Sequence, residues 1–163
     1  MKSTPLRILV VLLALALLAP PAEAQRRGRG RPAAQAYGPR FGVHLGYNFD
    51  ADGALVGAQM SWPMTPRVIL YPSFDLYFVD TGSLWSLNAD LKFRPPTRTG
   101  ALYAGGGLNF SRRSVSGNSG SDTGLNLLVG VEGRRTRSAP YVEAKIILAD
   151  GSSFQIAGGF SFR

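Results

Sequence analysis

The stretch FGVHLGYNF, residues 41–49, alternates apolar residues with small or polar ones along its whole length. The apolar side chains occupy the odd positions, which are Phe41, Val43, Leu45, Tyr47 and Phe49. A period of two is the pattern of a β-strand with two unlike faces. The stretch therefore predicts a strand, and the remaining question is which of its faces meets water.

The same alternation recurs along the rest of the chain. It appears at residues 54–62, 68–79, 85–93, 102–110, 125–132, 141–148 and 154–162. Turn sequences such as DADG at 50 and ADGSS at 149 separate these segments. Most segments have the length of a tilted membrane-spanning strand, roughly 9 to 11 residues. We therefore predict an all-β protein, an eight-stranded antiparallel up-and-down transmembrane β-barrel, because closure leaves no strand edge unpaired.

Large aromatic residues lie at the two ends of the apolar face. One rim holds Phe41, Trp62, Phe93 and Phe160 or Phe162, and the other holds Phe49, Phe78, Trp85, Phe110 and Phe154. Two aromatic rims around an aliphatic band are typical of a barrel that crosses a membrane. We expect this face to contact lipid. A secreted lipocalin-like barrel, which encloses an apolar ligand, is the alternative that alternation alone allows.

The opposite face carries glycines and ionisable residues. The ionisable ones are His44, Asp75, Asp90, Lys92, Glu132, Glu143 and Lys145. A narrow barrel interior is normally filled by side chains, and buried charges persist when they are paired. We predict a paired network that closes the lumen, with Lys92 and Lys145 at its centre and with Asp90→Asn recovering part of the stability lost in Lys92→Ala. The inward glycines argue against tight pairing, because they leave room for water.

Pro72 interrupts the middle of the third segment. A proline cannot donate a ladder hydrogen bond, and a closed barrel offers no edge strand to accommodate it. We expect a β-bulge at this position.

Two segments precede the barrel. Residues 1–24 combine Lys2 and Arg7, a short apolar run and a small-residue exit at 22–24, which predicts a cleaved secretory signal peptide. Residues 25–40, QRRGRGRPAAQAYGPR, are poor in apolar residues, which predicts a disordered basic tail. The barrel domain is expected over 41–163. The absence of cysteine suits a bacterial envelope protein that folds without disulfides.

The formal net charge of +8 belongs mainly to the tail. Five arginines lie before the first strand: Arg26, Arg27, Arg29, Arg31 and Arg40. The tail is either a solvated spacer or a segment that contacts anionic lipid head groups or cell-wall polymer. No nucleic acid is expected as a partner of an exported chain.

Five segments carry a family resemblance: LYPSFDLYF (70–78), WSLNADLKF (85–93), LYAGGGLNF (102–110), LNLLVGVEG (125–133) and FQIAGGFSFR (154–163). Over residues 37–163 the chain resembles the small outer-membrane barrel domains of the outer membrane protein A and opacity-protein type. The resemblance implies a bacterial outer-membrane location, both termini in the periplasm, and contact with membrane lipids and lipopolysaccharide. It also implies recognition by the barrel-assembly machinery through the last strand, where Phe160 and Phe162 match the aromatic assembly signal and Arg163 follows.

A periplasmic start places the odd-numbered connections outside the cell. These hold Asp50, Asp52, Asp80, Asp122 and Asp150, with Arg112 and Arg113. The periplasmic connections hold Arg67, Arg94, Arg98, Arg134, Arg135 and Arg137. The charge of the barrel is therefore expected to differ in sign between its two ends.

No motif in the chain predicts catalysis, a cofactor or a metal site. A hydrolytic set of His44 with Glu143 or Ser86 would face the lumen, and YAGGGLN lacks the lysine and helix of a phosphate loop. The ligand spacing of a calcium loop is missing after DADG. We therefore expect a non-enzymatic outer-membrane barrel that contributes membrane integrity or an interaction surface. The alternative is a narrow channel or conduit for small or hydrophobic solutes.

Overall fold

A computed structural model describes residues 38–96, 102–116, 118–133 and 137–163 of the chain. Each strand pairs antiparallel with its neighbours in sequence, and the last strand pairs with the first to close a barrel. The strands are β1 (Arg40–Asn48), β2 (Gly53–Pro63), β3 (Val68–Phe78), β4 (Ser83–Phe93), β5 (Leu102–Val115), β6 (Asn118–Glu132), β7 (Ser138–Leu148) and β8 (Ser152–Phe162). The predicted eight-stranded antiparallel barrel is confirmed.

The barrel has two distinct ends. The terminal end carries the start of β1, the end of β8 and the connections β2–β3, β4–β5 and β6–β7. The far end carries the other connections. The predicted signal peptide (1–24), nearly all of the predicted tail, and Arg98, Arg134 and Arg135 lie outside the described residues. Within the described ranges, no helix is long and apolar enough to span a membrane.

Side chains alternate between the lumen and the outer surface along most of each strand. In β4, Asp90 and Lys92 are 0% and 4% exposed, but Leu91 and Phe93 between and beside them are 48% and 49% exposed. His44, at 6% exposed, lies on the same buried face as Asp90 and Lys92. A lipocalin-like barrel would have the opposite arrangement, with the apolar face inside.

The predicted aromatic rims stand on the outer surface at both ends. At the terminal end Phe41 and Trp62 are exposed, and at the far end Phe78 and Phe110 are exposed. Between them lies an exposed aliphatic band: Val43, Leu45, Leu87, Leu91, Leu108, Leu125, Leu127, Val129 and Ile146. An apolar belt of this kind is costly in water and favourable in lipid.

Tyr47 departs from the pattern of its strand. Its position in β1 belongs to the apolar face, yet its side chain is buried. The ring packs edge-on against Phe49 at 5.3 Å between centroids, and the hydroxyl donates to Asp52 in the β1–β2 connection. Tyr47 therefore fixes the connection rather than contributing to the outer surface.

The expected bulge at Pro72 is wrong. The β2–β3 ladder is interrupted between Gln59↔Ser73 and Trp62↔Leu70, and it resumes in the same register. On the other side Pro72 pairs with Ala89 in an unbroken β3–β4 ladder. Pro72 therefore leaves a local gap in the pairing of β3 with β2, but it adds no extra residue to β3.

Candidate functional site

The barrel interior holds a continuous set of buried polar side chains, which we call the lumen network. All of the ionisable residues predicted to face inward are buried there: His44, Asp75, Asp90, Lys92, Glu132, Glu143 and Lys145. The alternation of each strand directs these side chains into the lumen. Their contacts form several groups along the barrel axis.

The group nearest the terminal end surrounds Glu132. Arg94, just beyond β4, donates to Glu132 Oε2, and Arg40 Nη1 lies 3.7 Å from Glu132 Oε1. Burial lowers the pKa of the Arg94 guanidinium and the charge of Glu132 raises it, but an arginine stays protonated after such shifts. Arg40, counted with the tail from the sequence, is in fact the first residue of β1 and is buried.

The next group is built on Lys92 of β4. Its ammonium lies 2.6 Å from Glu143 Oε2 on β7 and 3.1 Å from the centroid of the Tyr71 ring. The centroid of the Tyr103 ring lies 4.3 Å from the same ammonium, and the Tyr103 hydroxyl donates a 2.9 Å hydrogen bond to Glu143. The ammonium is thus held by a carboxylate and by aromatic faces together.

Lys145 of β7 forms the adjacent ion pair. Its Nζ lies 3.0 Å from Asp90 Oδ2 on β4 and 4.0 Å from Glu143 Oε1. Lys92 is therefore paired with Glu143, and Asp90 is paired with Lys145. Asp90 is therefore not the nearest partner of Lys92, and partial compensation by Asp90→Asn stays a prediction that would require Lys145 to pair with Glu143.

His44 and Asp75 form a third pair. His44 Nε2 lies 2.7 Å from Asp75 Oδ1, and its Nδ1 lies 3.0 Å from Gln59 Oε1. Asp75 also accepts a 2.9 Å hydrogen bond from Asn88. Both ring nitrogens of His44 are therefore engaged within the lumen, and Ser86 is instead within hydrogen-bond distance of Tyr77 and Asn88.

Three asparagines join these pairs to one another. Asn126 Nδ2 lies 2.8 Å from both Asn88 Oδ1 and Asp90 Oδ1. Asn109 donates a 2.8 Å hydrogen bond to the same Asn88 oxygen. The pair of His44 and the pair of Lys145 are thus connected through amide side chains.

The inward glycines lie where side chains of flanking strands meet. Gly57 of β2 stands between His44 and Asp75 in the sheet, and a Cβ there would lie 2.2 Å from His44 Nε2. Gly130 of β6 stands between Tyr103 and Glu143, and a Cβ there would lie 2.4 Å from the Tyr103 hydroxyl. These two glycines therefore permit the contacts of the lumen network instead of leaving the space beside them to water.

Sequence reasoning did not identify several members of the network. They are Arg40, Gln59, Tyr71, Asn88, Tyr103, Asn109, Asn126 and Tyr141. Apart from Arg40, the same alternation places them all on the inward face, so their position was available from the sequence. The uncharged members are tyrosines and amides, which carry no charge to mark them in the sequence but link the ion pairs to one another.

The network offers no recognisable metal centre. Across the part of the chain that the structure describes, no three His, Cys, Asp or Glu side chains are grouped so as to hold a metal ion. At the far end, beyond the network, an open cavity of about 380 Å³ is lined by residues that include Ser111, Arg113, Asp122 and Asp150.

The last strand presents its predicted assembly residues on the outside of the barrel. Phe160 and Phe162 are exposed, and their rings stack at 6.4 Å between centroids. Phe162 lies opposite Phe41 of β1 and Ser138 of β7 in the closing ladders. Both residues belong to the aromatic rim of the terminal end.

Comparison with known proteins shows the fold. The sequence matches no protein-family model and no curated protein sequence. The N-terminal β-barrel domain of Pseudomonas aeruginosa OprF is similar to the chain, with a TM-score of 0.66 and 17% identity, over 76% of this chain and 95% of that domain. Neisserial surface protein A is similar with a TM-score of 0.55 and 13% identity, over 76% of this chain and 94% of its own. The chain thus has the closed eight-stranded fold of the small outer-membrane β-barrels.

Proposed function

We propose that this protein is a non-enzymatic bacterial outer-membrane barrel that contributes membrane integrity or an interaction surface. The observation that carries the proposal is the exposed apolar belt between two aromatic rims. Such a belt would drive aggregation of a water-soluble protein, but it matches the hydrocarbon layer of a bilayer. The similarity of the fold to solved outer-membrane barrels supports the same location.

The lumen, in this proposal, is closed by the lumen network. Two ion pairs cross it between β4 and β7, which are not neighbours in the sheet. Opening a continuous water path would require the side chains of both pairs to separate, which would break their contacts. A closed barrel supports a structural or interaction role, and a narrow conduit is the competing function.

Export and assembly complete the proposal. Residues 1–24 would be removed before Gln25, and the barrel-assembly machinery would recognise the last strand through Phe160 and Phe162. The exposure of these two rings on β8 supports that role. Lipopolysaccharide and phospholipid would then surround the aliphatic band.

Membrane fractionation tests the location. We expect the mature chain in the outer-membrane fraction, migrating faster on a gel when unboiled than when boiled. Recovery of a detergent-free soluble monomer from the periplasm would contradict it.

Planar bilayers test the closure. The purified barrel is expected to give no steady conductance, because the lumen network fills its interior. A steady conductance of the wild-type barrel would instead support the conduit.

A further inference from the structure

The two ends of the barrel differ in the sign of their charge. Among the described residues, the terminal end carries Arg40, Arg67, Arg94, Arg137 and Arg163, with Glu132 as its acidic residue. The far end carries Asp50, Asp52, Asp80, Asp122 and Asp150, with Arg112 and Arg113. The lumen network does not explain this separation, because only Arg40, Arg94 and Glu132 take part in it.

The other arginines of the terminal end face outward to solvent. Arg67, Arg137 and Arg163 are all exposed. Arg163 directly follows Phe162 of the aromatic rim, and Arg67 directly precedes Val68, which pairs with Phe93 of the same rim. The backbone amide of Arg163 donates to the carbonyl of Arg137, which brings these two residues together at the seam of β7 and β8.

The position of this rim determines which partner suits it. Aromatic rims of membrane barrels lie at the level of the lipid head groups, and the long side chain of arginine can extend along the barrel wall to that level. Exposed arginines next to such a rim attract anionic head groups, and the attraction falls off within a Debye length. We propose that the terminal end is a binding surface for anionic phospholipids of the phosphatidylglycerol type, formed by Arg67, Arg137 and Arg163.

This inference rests on the proposed membrane location, and the two tryptophans of the chain allow both to be tested at once. Trp62 is exposed in the rim of the terminal end, and Trp85 belongs to the rim of the far end, where its ring centroid lies 5.8 Å from that of Phe110. Trp85→Phe leaves Trp62 as the sole tryptophan, and Trp62→Phe leaves Trp85, so that selective excitation of tryptophan reports on one end of the barrel at a time. Each variant of the full mature chain is folded into phosphatidylcholine vesicles that contain a small fraction of brominated phosphatidylglycerol or brominated phosphatidylcholine.

The readout is the ratio of quenching by brominated phosphatidylglycerol to quenching by brominated phosphatidylcholine. For Trp62 we expect a ratio of at least about two at low salt, falling towards one in 1 M salt through screening. Replacing Arg67, Arg137 and Arg163 by glutamine should bring the ratio at Trp62 to one. The control Arg112→Gln, which removes an exposed arginine of the far end, should leave that ratio unchanged.

Each other outcome contradicts the proposal in a distinct way. Lipid binding by these arginines is overturned if the ratio at Trp62 is one while all three arginines are present. It is also overturned if the triple glutamine variant leaves the ratio unchanged. If brominated phosphatidylcholine quenches neither tryptophan, the membrane location itself fails and this inference fails with it.

Discussion

Lys92 on β4 and Glu143 on β7 meet across the lumen at 2.6 Å between Nζ and Oε2. Two residues away on each strand, Asp90 meets Lys145 at 3.0 Å. The order of charges along β4 is therefore complementary to the order along β7. In the sheet β4 is hydrogen-bonded to β3 and β5, and β7 to β6 and β8. The two ion pairs therefore connect opposite walls of the barrel.

The first prediction concerns this reciprocal pairing. Lys92→Ala should lower the free energy of unfolding by roughly 3 to 5 kcal/mol, because Glu143 loses its nearest cation in a buried site. Adding Glu143→Gln should recover part of the loss. Adding Asp90→Asn instead should recover less, because it removes the nearer partner of Lys145 and leaves Glu143 at 4.0 Å. Denaturant unfolding of the barrel in vesicles measures the single variant and both double variants. Equal effects of Glu143→Gln and Asp90→Asn in the Lys92→Ala background would contradict the pairing.

The second prediction concerns the apolar belt. Leu127→Arg, at the middle of the outward face of β6, should hinder insertion by about 2 to 4 kcal/mol. Ser121→Arg is the matched control, because it lies on the same strand and the same face but beyond the aromatic rim at Phe110. The fraction of folded, heat-modifiable protein in vesicles measures insertion. Equal yields from the two variants would show that the belt is not in contact with hydrocarbon.

The third prediction concerns the contact that Gly57 permits. Gly57→Ala should separate His44 from Asp75 or displace their strands, at a cost of about 1 to 3 kcal/mol. Gly120→Ala is the control, because a Cβ at Gly120 meets no atom within 4 Å. Denaturant midpoints of the two variants give the comparison. A Gly57→Ala barrel as stable as the Gly120→Ala barrel would mean that the lumen can accommodate the extra carbon.

The fourth prediction concerns the gap in the β2–β3 ladder. Pro72→Ala restores a backbone donor beside Met60 and Ser61, where pairing is interrupted without a change of register. The new amide at residue 72 should exchange slowly with deuterium, because it can complete the ladder. The free energy of unfolding should change little, since a new hydrogen bond contributes about 0.5 to 1.5 kcal/mol and the lost rigidity of proline offsets part of it. Fast exchange at residue 72 would show that the gap has another cause.

The alternation of the sequence was sufficient to predict the number of strands and the direction of nearly every side chain, although β5 and β6 extend beyond the predicted 102–110 and 125–132. A side chain at an even position of FGVHLGYNF cannot reach the outer surface, because successive Cβ atoms of a strand point to opposite faces. The aromatic rims and the inward position of Lys92, Glu143 and their neighbours followed from that period. Tyr47 escaped it because a local hydrogen bond to Asp52, beyond the end of the strand, buries a residue of the outward face.

Tertiary structure alone decided which inward groups meet. Asp90 and Lys92 lie two residues apart on one strand, and only the closure of the barrel brings β7 opposite them. Register likewise put Gly57 between His44 and Asp75, so that a glycine read from the sequence as empty space became the point of contact. A period of two specifies a face, but it carries no information about the distance across a closed sheet, and that distance selects the pairs.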